Sequence, residues 1–187
     1  EQLRHARQAA RDVAGLGRGD RDARQHVAAL DLGVLVHREH RLDGEQLLDV
    51  AVVVFNPGLD DYDEDDQVYP EVRKAEARFM PMLLSEAMQD SGAWGAVRVV
   101  PNDSQITDLM VRGEILHSNG EELQLAITAT DSRGYVWLDK KYTGNSSRYA
   151  YESTTRNKSD PFQAVYNTIA NDLLQHLEEL KPQERSD

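Results

Sequence analysis

The chain has 187 residues, 40% of them hydrophobic, which is enough for one buried core with an appendage. It has no cysteine, which excludes disulfides, thiolate metal sites and cysteine nucleophiles. Its formal net charge of -12 argues against a nucleic-acid binder, because neutralising phosphates takes clustered Lys and Arg.

Residues 1–48 have no aromatic side chain and are rich in Arg, Asp, Ala, Gly and His. Leu3, Ala6, Ala10 and Val13 form a short helical stripe, and 27–36 reads as a strand or a second short helix. We take this stretch as an N-terminal arm, partly helical or flexible, that contributes little core. The chain opens at Glu1 and not at Met, so any signal sequence or lipid-anchor cysteine belongs upstream. No apolar run reaches the roughly 18–20 residues of a membrane helix.

A single domain is expected over 49–181, followed by a tail at 182–187. Val50 to Phe55 (VAVVVF) is a continuous β-branched run, the pattern of a central strand covered on both faces, and Asn56-Pro57-Gly58 ends it. Tyr69-Pro70-Glu71 opens a helix with Pro at its first position and an acid in its first turn. Val72, Ala75, Phe79, Met82 and Leu83 make its apolar stripe, with Met80, Leu84 and Met88 widening it. Pro81 predicts a kink or a restart, and Ser91-Gly92 the end. Ala96 to Val100 is a short strand stopped by Pro101.

Asp108 to Tyr142 then reads as a three-strand meander. Leu109, Val111, Gly113 and Ile115 alternate, Asn119-Gly120 turns the chain, and Leu123, Leu125, Ile127 and Ala129 alternate again. After a turn at Asp131 to Gly134, Val136, Leu138, Lys140 and Tyr142 complete the third strand. Asp160 as N-cap, Pro161 and Gln163 predict a capped start for a last helix. Phe162, Val165, Tyr166, Ile169, Leu173, Leu177 and Leu180 form its buried face. The sum is an α+β fold, a mixed sheet of four to five strands with two long helices packed on it.

Sites are harder to read. Asp61, Asp63 and Asp65 imitate the first three ligand positions of a calcium loop, but the sixth position is Asp66 and the twelfth Val72, so a solvated acidic loop is the expected reading. His37 and His40 have metal-ligand spacing, but only Asp31 and His26 are nearby to join them, so surface histidines are the expected reading. No nucleophile elbow, phosphate loop or zinc-protease helix occurs. Tyr149 and Tyr151 stand in an otherwise polar loop, where aromatics are what interaction surfaces recruit. With Arg148 and Tyr142 beside them they are the expected partner-binding set.

VAVVVFNPG, LLSEAMQDSG, AWGAVRVVP, DLMVRGEI and DSRGYVWLDKKY together resemble a group of bacterial envelope lipoproteins. The group comprises the curli-secretion lipoprotein family, the penicillin-binding-protein activator lipoproteins and the amino-terminal domain of the Tol–Pal translocation protein. The resemblance covers about 49–181 and implies a non-enzymatic periplasmic domain, without cofactor, that binds another envelope protein. It also implies contact with the membrane only through an upstream lipid anchor. Two other readings stand beside it: a small metal-dependent or hydrolytic enzyme using Asp103, Asp108 and His117, and a homo-oligomer subunit whose helix faces form the interface.

Overall fold

In the computed structural model, residues 35, 47–59, 69–146 and 160–180 are described. The elements are β1 (Val50–Val53), α1 (Pro70–Asp90), β2 (Val97–Val100), β3 (Leu109–Ser118), β4 (Glu122–Asp131), β5 (Val136–Asn145) and α2 (Gln163–Glu179). The five strands form one sheet in the order β2-β1-β3-β4-β5. β1 runs parallel to both β2 and β3, and β3, β4 and β5 are antiparallel. Both helices lie on one face, α1 over β1, β2 and β3, and α2 over β5 and against α1. The α+β architecture, with its mixed sheet and two helices, is therefore the one that the period-2 and helical patterns predict.

The core lies between the sheet and the helices. Leu109, Val111 and Ile115 of β3 and Leu123, Leu125, Ile127 and Ala129 of β4 are fully buried there, as the alternation requires. Gly113 is part of the same row because Phe55 fills its place: a Cβ on Gly113 would lie 2.5 Å from the Phe55 ring. β1 is covered on its second face as well. There Ala51, Val100 and Met110 form a small separate cluster, on the side away from the helices. On β5 the register shifts opposite Ala129 and Thr130, a bulge that leaves Val136 outside and turns Trp137 inward.

Two local expectations need correction. First, α1 buries Ala77, Met80, Pro81, Leu84, Ala87 and Met88, while Val72, Phe79 and Met82 of the expected stripe are exposed. Arg73 explains the inversion. It is buried on the core-facing side, where its guanidinium donates to the carbonyls of Ile115 (3.4 Å) and Ser118 (3.3 Å) and pairs with Glu76 (3.3 Å). A charged residue thus sits in the face that meets the sheet, and its long stem supplies apolar surface. No restart occurs at Pro81: α1 runs from 70 to 90 as one helix with Pro81 buried, and the Ala77 carbonyl that Pro81 cannot bond accepts instead from the Phe55 N–H (3.0 Å).

Second, α2 starts without the capping box. Asp160 accepts from the Phe162 N–H (2.8 Å) and its carbonyl from the Gln163 N–H (3.0 Å), so it caps a turn before the helix. The Gln163 side chain bonds forward to Asn167 instead. The buried face of α2 is otherwise the expected one, with Tyr166, Ile169, Leu173 and Leu177 inside.

Candidate interaction surface

At one end of the sheet two connections come together: the segment 101–108, which carries the chain from β2 to β3, and the turn between β4 and β5. Each is tied down by hydrogen bonds to carboxylates. Asp49, at the start of β1, accepts from the Ala96 N–H (2.7 Å), while its own N–H donates to Asp108 (2.8 Å). The Thr107 hydroxyl donates to the Asp49 carbonyl (2.9 Å). Within the segment Asn102 accepts from the Ser104 N–H (3.2 Å), and Asp103 pairs with Arg112 (3.2 Å). Bound at both ends in this way, the segment presents Ile106 with 99% of its surface exposed.

The β4–β5 turn is built on Asp131. One oxygen accepts from the N–H groups of Arg133 and Tyr135 (2.9 Å each), the other from the Arg133 guanidinium (3.1 Å) and the Trp137 indole (3.3 Å). Burial pushes this carboxyl up, but those donors outweigh it and hold the group below its ordinary value. Gly134, at φ 87°, supplies the left-handed residue that the turn needs. Tyr135 and Val136 point outward at 67% and 57% exposure, and Arg133 lies over the Tyr135 ring at 5.3 Å. The Ser132 N–H donates to the Asp108 carbonyl (3.0 Å), which joins the turn to the other connection. Between them lies a polar-rimmed cleft of about 350 Å³, lined by Ile106, Arg98, Asp49, Asp108 and Ser132, with Ala51 and Val100 at its floor. Tyrosine and arginine are side chains in which interface hot spots are enriched, and Ile106 adds exposed apolar surface to Tyr135 and Arg133.

Tyr142, grouped with the partner-binding tyrosines, faces the other way. It is 5% exposed, and its hydroxyl donates to Asp172 of α2 (2.6 Å), which also accepts from Lys140 (2.8 Å). Burial first, then the hydrogen bond and charge of Asp172, push its phenol well up from the ordinary range. Tyr142 has no outward face to offer a partner, because it sits on the inward row of β5 opposite Leu125. Arg148, Tyr149, Tyr151, Asp61, Asp63, Asp65, His37 and His40 lie outside the described residues. Asp103, Asp108 and His117 do not converge. Asp108 precedes β3 and His117 lies near its far end, about 30 Å along an extended strand. Among the described residues no three His, Asp or Glu side chains gather as a metal site would require.

Ile106 and Tyr135 are legible in part from sequence. Ile106 is the lone apolar residue in PNDSQIT, and Tyr135 follows the turn glycine directly, where a side chain cannot reach the core.

No protein-family model matches the chain, and no curated protein matches it. Among solved structures, protein XCC0632 from Xanthomonas campestris, of family model DUF330, is similar over 77% of this chain and 86% of that one. The identity is 14% and the TM-score 0.38, too low to carry an argument about this chain.

Proposed function

We propose that the chain is a non-enzymatic accessory domain of the bacterial periplasm that binds another envelope protein through the turns at the end of its sheet. One observation carries the reading: Ile106 and Tyr135 are exposed on two connections that hydrogen bonds of Asp49, Thr107, Asp108 and Asp131 tie to the sheet. The resemblance of the sequence to envelope lipoproteins is what supports a periplasmic compartment and an upstream lipid anchor as parts of this proposal. Tyr149, Tyr151 and Arg148 form a second proposed contact, and the acidic loop with Asp61, Asp63 and Asp65 a third.

A photoreactive side chain at position 135, introduced in the producing bacterium, tests this. The expected product is one adduct with an envelope protein that mass spectrometry identifies. That partner, purified, should bind the domain, and Ile106→Ser with Tyr135→Ser should weaken it by about 100-fold, as the loss of two interface anchors implies. Absence of any adduct from the folded chain would overturn the reading.

A further inference from the structure

The outer face of α1 carries a pattern that neither the core nor the proposed partner site uses. Lys74, Arg78, Met82, Glu86 and Asp90 recur every fourth residue, all exposed, and form one continuous row along the helix. Their signs are ordered: two cations, a central methionine, two anions. Beside the row stands Phe79, 52% exposed, next to Met82 at 48%. Lys74 shares its charge with Glu71 of the same turn at 2.9 Å. Arg78, Glu86 and Asp90 form no ion pair among the described residues.

From this row we infer that α1 pairs with α1 of a second copy, the two helices antiparallel about a two-fold axis at Met82. The signs select both the occupant and the direction. Reversal about Met82 sets Arg78 level with the partner's Glu86, four residues to either side, and Lys74 level with the partner's Asp90, eight to either side. Steps of four residues span about 6 Å along the axis, so the pairs are spaced like successive turns of one helix. A parallel pair would set like charges together. A two-fold contact must be self-complementary, and a row that becomes its own opposite on reversal meets that condition. Phe79 and Met82 of both copies meet at the crossing, where side chains of i±4 rows interdigitate. At a net charge of -12, two copies repel over most of their surface, so a face whose charges cancel on pairing is favoured for bringing them together.

Sedimentation equilibrium of the 187-residue chain at about 0.15 M salt, where the long-range repulsion between copies is screened, from about 1 to about 100 µM, tests the pairing. The expected mass rises from 21.1 kDa to twice that value. Arg78→Glu and Glu86→Arg should each raise the dissociation constant about tenfold or more, because each sets like charges opposite. Both together should restore it to within about threefold of the original. The sites are exposed, and melting temperatures of the four proteins, taken at about 1 µM where each is a single chain, should coincide. A one-chain mass throughout the range would overturn the inference. So would a dimer that Arg78→Glu leaves intact, or a double variant no better than the single ones. Tyr135 lies on another element, so either result leaves the partner reading to its own test.

Discussion

At the scale of single residues, two contacts decide local geometry by exclusion and by charge. Gly113 is where the Phe55 ring lies against β3, and no other residue leaves that space open. Gly113→Ala should lower stability by about 1–3 kcal/mol, measured by urea unfolding, as overpacking in a filled core does. In sequence Gly113 is one of an alternating row, and its inward direction can be read from that row alone. That its missing side chain is filled by Phe55, far away in the chain, has no trace in a local pattern. Asp131 decides the turn that presents Tyr135. Its carboxyl is held below its ordinary value when folded, so its contribution is present above the unfolded pKa of about 3.9 and is lost as the pH falls through the folded value. Asp131→Asn should therefore melt lower than the unaltered protein at neutral pH, with the gap narrowing in thermal melts below about pH 4.

At the scale of elements, α1 shows what a helical pattern can and cannot tell. The spacing of Val72, Ala75, Phe79 and Met82 is helical and the helix is there, yet the sheet takes the opposite side. Periodicity reports that a stripe exists. It does not report which of two apolar stripes meets the core when the helix has both. Arg73 hides the answer, since a charge on the inner face reads as solvent in a sequence. It is the hydrogen bonds to the end of β3 and to Glu76, itself held by Ser118, that make its burial tolerable. The consequence is measurable. Phe79→Ser should change the stability of the single chain, measured at about 1 µM, by no more than about 0.5 kcal/mol, whereas Leu84→Ala should cost about 2–5 kcal/mol in the same denaturation assay. Arg73→Ala belongs with the second group, because it takes a donor away from the Ile115 and Ser118 carbonyls and empties the space its stem fills. The meander, in contrast, is readable nearly residue by residue, since one face is core and the other is open, and a slip of one residue would expose every leucine. Only the bulge at Trp137 escapes, because an extra residue reverses the phase of the strand beyond it.

At the scale of the whole molecule, sheet and helices close on two tyrosines. Tyr142 bridges β5 to Asp172 of α2, and Tyr166 is buried within α2's inner face. Burial leads in pushing both phenols up, aided for Tyr166 by the charges of Asp160 and Glu76. A raised folded value means that the unfolded chain loses its proton first, so this stabilisation is complete below about pH 10 and is lost above it. In an ultraviolet titration Tyr142 and Tyr166 should ionise only together with unfolding, and Tyr166→Phe should remove part of the alkaline loss. Among the described residues the Trp94 indole N–H is the one buried side-chain donor without a partner, and the surfaces left for function lie outside the core, on the turns at one end and on the outer side of α1. Of these, the turns bear the proposed partner site. Ile106→Ser with Tyr135→Ser, carried in one chain, separates binding from folding in a single comparison of melting temperature and partner capture by a photoreactive side chain at position 136. The expected melting temperature lies within about 2 °C of the original, since both side chains are exposed, and the envelope-protein adduct should be lost. A chain that melts as the original does and still forms the adduct would refute the partner site on these turns.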